Sequence, residues 1–238
     1  MIRIFQYFIF INFVFTVQTK SDMHLNSIDV DNKLGNKLSG EIRFINSDSK
    51  ESSFEEFFSD DIPVIVIMAY YECPMLCSLV LNGLATSLNN TNLTPGEDYS
   101  ILTISIDPSE GPSLSKEKKE TYIKQYFSDS EIDFWTFGTT TSDQIDRITN
   151  ELGYKYSYDS SINEYAHPAV IYVIQNDRII SNQIFGINPS PNDLKLSILE
   201  AQNHKVSSIF DKILLYCYKY DPKAGNYTLL ASNIMKLA

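Results

Sequence analysis

The stretch that most constrains the fold of this chain is Pro63-Val-Ile-Val-Ile-Met-Ala-Tyr-Tyr71, followed at once by Glu72-Cys73-Pro74-Met75-Leu76-Cys77. The first part is apolar without interruption and rich in β-branched residues. A strand with one wet face would alternate polar and apolar residues, so this run predicts a strand covered on both faces. Pro74 suits the first position of a helix, where its missing N–H costs nothing. Leu76, Leu79, Val80, Leu84 and Leu88 then recur at helical spacing up to Asn89-Asn90. The unit is therefore strand, cysteine, proline, helix, with Cys73 and Cys77 predicted on one helix face, a turn apart.

The rest of the chain extends this pattern. Residues 38–45 suit a short strand and 53–58 a short helix or turn. Residues 99–106 form a second apolar strand, closed by Asp107-Pro108, and 116–127 a charged surface helix. Residues 132–137 read as a strand. Thr141-Ser-Asp-Gln144 fits a capping box for a helix that buries Ile145, Ile148 and Leu152 and stops at Gly153. Residues 169–175 and 178–185 pair as a hairpin across Asn176-Asp177, and Ser190-Pro191 opens a helix to about Asn203. This order predicts an α/β domain with a mixed sheet flanked by helices. The segment after 204 differs in character. Two strand-like pieces around Asp-Pro-Lys-Ala-Gly-Asn suggest a C-terminal extension packed on the domain.

The expected organisation is thus a signal peptide or N-terminal anchor over 1–19, a linker over 20–37, the domain over 38–204 and the extension over 205–238. Arg3 followed by the mostly apolar run 4–17 has the length of an export signal and falls short of the ~20 residues of a membrane span. Export places the chain in the periplasm or cell envelope, with membrane attachment through the N-terminus if the signal is retained. A net charge of −11 without a cluster of Lys or Arg excludes nucleic acid as a partner. Three cysteines are too few for a scaffold of several disulfides.

The chemistry therefore centres on Cys73 and Cys77. The N-terminus of a helix favours a thiolate, whereas the neighbouring Glu72 opposes it. Two adjacent thiolates select soft or borderline metals, Cu(I) and Zn foremost, and can also close into a disulfide. A third donor would have to come from elsewhere. Of the three histidines, His24 falls in the linker and His204 follows a helix. His167 opens strand 169–175. If that strand runs antiparallel to the first two, His167 starts beside their C-terminal ends, at the same edge as Cys73; a loop histidine without a ligand role is the alternative. Asp107 ends a strand before a proline, as turn-forming aspartates do, or acts behind the ligands. Cys217 lies in an aromatic, apolar run and reads as a buried small hydrophobe.

Tyr70-Tyr-Glu-Cys-Pro-Met-Leu-Cys77, Ser105-Ile-Asp-Pro108 and Tyr165-Ala-His167 together resemble the Sco/SenC family over about residues 38–200. The Leu-Leu-Tyr-Cys-Tyr-Lys-Tyr-Asp-Pro tail is similar to one branch of it. The chain departs from many members after Asp107-Pro108, where Ser109-Glu110-Gly111 replaces Arg-Asp-Thr. The resemblance implies a thioredoxin-like fold and one copper ion per chain held by Cys73, Cys77 and His167. It also implies a role in assembling the binuclear copper site of cytochrome c oxidase, with the copper-receiving subunit as partner and other copper carriers as further candidates. The competing expectation is a thiol–disulfide oxidoreductase in which Cys73 and Cys77 are a redox pair and the metal is incidental. A peroxide-reducing enzyme is the third; it would commonly place an arginine near its cysteine, and none is near Cys73 in sequence.

Overall fold

The apolar run folds as a strand buried at every position, Val64–Ala69, with a neighbour on each side. The computed structural model describes residues 28–128, 133–207, 218–221 and 226–229. In chain order the strands are β1 (Asp29–Val30), β2 (Arg43–Asn46), β3 (Glu51–Ser53), β4 (Val64–Ala69), β5 (Ser100–Ser105), β6 (Trp135–Thr139), β7 (Tyr154–Lys155), β8 (Ser157–Asp159), β9 (Glu164–Ala166), β10 (Val170–Ile174), β11 (Ile180–Phe185), β12 (Tyr218–Asp221) and β13 (Asn226–Leu229). The helices are α1 (Phe54–Phe57), α2 (Leu76–Leu88), α3 (Pro112–Tyr126), α4 (Ser142–Leu152) and α5 (Pro191–Gln202).

Seven strands form one mixed sheet in the order β11-β10-β4-β5-β6-β2-β3. β4, β5 and β6 are parallel, and β10 runs antiparallel to β4, with Tyr172 opposite Val66. The expected mixed sheet is therefore present, and its strand directions bring the start of β10 beside the end of β4. The interior is strongly aromatic. Trp135 stacks on Phe137 at 5.2 Å and packs against Tyr122 at 5.4 Å. Its indole N–H donates to Thr103 Oγ1 at 3.0 Å, so the polar atom of this buried threonine is used.

Several local expectations shift for identifiable reasons. The expected capping box at Thr141 is absent: Thr141 is the N-cap but its side chain makes no cap bond. Gln144 instead uses Oε1 to accept from Arg43 N at 2.9 Å, joining α4 to β2. A capping box does form at Ser53, whose side chain and that of Glu56 bond reciprocally to main-chain N–H groups. Residues 29–37, within the expected linker, are tied to the domain. β1 pairs with β7, Asp31 N donates to Gly153 O at 2.8 Å, and Gly35 N donates to Ile180 O at 2.9 Å. A two-residue strand leaves no periodicity in the sequence by which to recognise it. The two strand-like pieces of the extension are β12 and β13, paired antiparallel. The expected signal or anchor segment 1–19, His24 and Cys217 lie outside the described residues. Among those described, no helix is long and apolar enough to cross a membrane.

The contact between α2 and α5 fixes the helix that carries Cys77. Ser87 donates to Pro189 O at 2.6 Å. Gly83 lets the chain before α5 come so close that an added Cβ would stand 1.9 Å from Ile187 O. Main chain on both sides cannot yield cheaply. Gly83→Ala should therefore lower the unfolding free energy by about 1–3 kcal/mol in urea titrations. A variant within about 0.5 kcal/mol of the parent would contradict this packing.

Candidate metal centre

β4 ends at Ala69, and the chain turns through Tyr70, Tyr71 and Glu72 to reach Cys73. Cys73 N donates to Tyr70 O at 3.3 Å, which closes that turn. The helix does not begin at Pro74 as expected. Its N-cap is Met75, at φ −147° and ψ −69°, and α2 starts at Leu76. Cys73 is thus in the loop and Cys77 in the first turn of the helix, so the two sulfurs meet across a helix start and not along one helix face.

That arrangement gives Cys73 a second role. No conventional side-chain cap serves α2. Cys73 Sγ accepts from Cys77 N at 3.3 Å and occupies the place where a serine or aspartate oxygen usually sits. The sulfur therefore lies in the positive field of the helix N-terminus. Hydrogen bonding from the Cys77 side chain lowers the Cys73 pKa, with further contributions from His167 and from the N–H groups of Cys77 and Met75; burial acts against them. Cys77 shifts the other way, because its proton is held against Cys73 and because it is buried. The pair is accordingly one thiolate, Cys73, and one thiol, Cys77. Glu72, the expected opponent of the thiolate, is exposed.

His167 comes from the far side, just before β10. Its Nε2 is 3.0 Å from Cys77 Sγ, and its Nδ1 is 3.2 Å from Pro168 O. A carbonyl oxygen can only accept, so the second contact requires the proton on Nδ1. Nε2 is the nitrogen that faces Cys77 Sγ, and without a proton it carries the lone pair a metal ligand needs. Tyr70 meets the imidazole edge-on at 6.0 Å, and Tyr154 lies along it at 6.5 Å. The Tyr154 hydroxyl donates to Met68 O and Pro168 O, each at 3.4 Å. Tyr70 N donates to Cys77 Sγ at 3.4 Å. One wall of the site is therefore aromatic. Met75, by contrast, is 67% exposed.

The structure brings together Cys73, Cys77 and His167. Their donor atoms all lie within 4.8 Å of one another, and among the described residues this group could hold a metal ion. Ligands at about 2.0–2.3 Å from a metal stand at most about 4.6 Å apart, so little movement is needed to close the group on one. Two sulfurs and one imidazole suit Cu(I), whereas a structural zinc site would require a fourth donor.

Asp107 bonds within its own loop and to the side chain of Tyr165, which packs on Tyr70 at 5.3 Å, and it does not reach the three donors. Its Oδ1 accepts from Ser109 N at 2.8 Å and Ser109 Oγ at 2.6 Å. The carboxylate that reaches the cysteine loop is Glu110, which in the sequence stands out only as a departure from a family pattern. It is 8% exposed and accepts from the main-chain N–H groups of Tyr71 and Glu72, each at 2.8 Å. Its sequence signal is faint: an acidic residue in the loop after the neighbouring parallel strand.

The opposite shifts of the two cysteines give a direct expectation. Reduced, metal-free protein treated with limiting iodoacetamide should be labelled on Cys73 well before Cys77, as read by peptide mass spectrometry. Labelling of Cys73 should persist below the pH at which an ordinary thiol, pKa about 8.5, loses its reactivity. Equal labelling, or ordinary pH dependence at Cys73, would contradict the assignment.

Comparison with known proteins agrees with this architecture. The model of the family described as SCO1/SenC matches residues 30–190. No curated protein matches the chain in sequence. Among solved structures, a putative electron transfer protein from Aquifex aeolicus VF5 is similar with a TM-score of 0.63 at 20% identity, over 72% of this chain and 95% of that one. Copper-bound ScoI of Arabidopsis thaliana gives a TM-score of 0.55 at 17% identity, over 72% and 99% of the two chains. BsSco, described as a member of the Sco family of cytochrome c oxidase assembly proteins, gives 0.54 at 16% identity, over 73% and 100%. The thioredoxin-like fold is shared with these structures.

Proposed function

We propose, from the premise that the chain belongs to the SCO1/SenC family, that it is an exported protein whose Cys73, Cys77 and His167 hold one copper ion for delivery to cytochrome c oxidase. The observation that carries this is the convergence of the three donors from a loop, a helix start and the segment just before the neighbouring strand β10. Copper here is cargo. The residues receive it by exchanging protons for metal: Cys73 is already favoured as thiolate, Cys77 gives up the proton it holds, and His167 contributes the free lone pair of Nε2. Three-coordination leaves room for an incoming ligand, so a recipient cysteine or histidine can enter before any of the three leaves. The copper-receiving subunit of the oxidase is the partner this implies; the likeness to BsSco, of a family of cytochrome c oxidase assembly proteins, and the sequence motifs support it. Export to the periplasm or envelope rests on the apolar N-terminal segment.

A second reading has its own support. A favoured thiolate beside a thiol is also the arrangement of a disulfide reductant, and Cys73 and Cys77 could reduce a partner's cysteines. His167 separates the two, since a reductant has no need of a third donor.

Protein purified without oxygen and loaded with Cu(I) should carry one copper per chain by metal analysis. Cys77→Ser should carry none, and His167→Ala should lose copper to a competing chelator at far lower concentration than the parent. Unchanged copper in either variant would remove the assignment. His167→Ala with full disulfide-reducing activity and parental copper would favour the reductant.

A further inference from the structure

Glu110 is a buried acid in a loop that carries none of the three proposed ligands. Burying a carboxylate is costly unless its oxygens are satisfied. Those of Glu110 are: Oε2 accepts from Tyr71 N at 2.8 Å and Ser105 Oγ at 2.5 Å, and Oε1 accepts from Glu72 N at 2.8 Å. Two of these donors are consecutive main-chain N–H groups, the kind of concavity that takes an anion.

The place of these donors in the fold gives the arrangement its meaning. β4 and β5 pair in register from Val64–Ser100 to Ala69–Ser105, and Ile106 N donates to Ala69 O at 2.7 Å. Beyond that point the sheet offers no further rung, although the chain must still pass through Tyr71 and Glu72 to reach Cys73. Glu110 takes over there, acting as a substitute strand for two residues. The other end of Tyr71 is held as well, its hydroxyl donating to Gly138 O at 2.6 Å and Thr103 O at 3.1 Å. The residue before Cys73 is therefore gripped through its main chain, and the residue before that at both ends.

We propose that Glu110 is a positioning residue for the metal centre: by clamping the Tyr71–Glu72 main chain it sets where Cys73 Sγ stands relative to Cys77 and His167. It touches neither metal nor ligand sulfur. Its hold on the loop keeps Cys73 beside the other two donors, so losing it should free Cys73 to leave them; its charge also acts on Cys77 through space, a contribution that Ser105→Ala leaves in place. The inference rests on the proposed copper site for its affinity arm only.

The test compares the parent with Glu110→Gln, which keeps one acceptor oxygen but turns an amide N–H group toward the remaining donors. Circular dichroism and urea unfolding establish that the variant is folded. Cu(I) affinity, measured by competition with a chelator, should fall about 10- to 100-fold, the usual effect of losing a group that orients a ligand. In the metal-free reduced protein, the ratio of Cys73 to Cys77 labelling by iodoacetamide should change several-fold, which a general loss of stability would not produce. A folded Glu110→Gln protein with parental affinity and parental labelling ratio overturns the inference. If Glu110→Gln does not fold, Ser105→Ala decides, because it removes one donor and leaves the carboxylate and main chain in place: a smaller shift of the labelling ratio supports the clamp, and no shift overturns it. Should the parent itself take up no copper, the proposed function fails, while the labelling ratio still reports on Glu110.

Discussion

β4 is apolar on both faces, so it must lie in the middle of the sheet, and it must hand its chain on at the sheet's edge. The metal centre sits at that handover. At Ala69 the ladder with β5 ends, and within the next eight residues the chain supplies two of the three donors. Main-chain groups that no longer have a strand partner are satisfied by Glu110, by Tyr70 O and by the cysteine sulfurs themselves. Chain that leaves a sheet usually becomes a mobile loop. Here the hydrogen bonds that would otherwise be missing are what order it.

The second dependence is electrostatic. Cys73 caps α2 and is favoured as thiolate, Cys77 retains its proton, and His167 turns Nε2 toward the sulfurs because Pro168 O takes the proton of the other nitrogen. Before any metal arrives the group thus holds one favoured thiolate, one thiol with a proton to release and one imidazole nitrogen beside them. The helix N-terminus, the carbonyl of a proline and the burial of Cys77 fix these states separately, and none of them requires a large rearrangement when a cation enters.

How much of this was legible in the sequence depends on how local the signal is. Residues 63–71 and the leucines of α2 announce strand and helix by pattern alone, and the order of elements gives the mixed sheet. His167 could be placed at the right edge only on the condition that its strand ran against the first, as β10 does against β4. What could not be read is fixed by tertiary partners. Gln144 abandons its cap to meet Arg43, the helix starts two residues after Pro74 with Met75 as N-cap and Cys73 folded back onto Cys77 N, and residues 29–37 join the domain through scattered main-chain bonds. Glu110 belongs to the same class. An acidic residue in a loop looks solvated until the neighbouring strand's last N–H groups are seen to need it.

The central claim is that two sulfurs and one imidazole nitrogen, from Cys73, Cys77 and His167, hold one copper ion. X-ray absorption spectroscopy of the Cu(I)-loaded, anaerobically prepared protein reads those neighbours directly. Two sulfurs and one nitrogen are expected around a three-coordinate copper, with the nitrogen lost in His167→Ala. A shell of sulfurs alone in the parent, a copper–copper distance marking a thiolate cluster, or the same spectrum with and without His167 would contradict it.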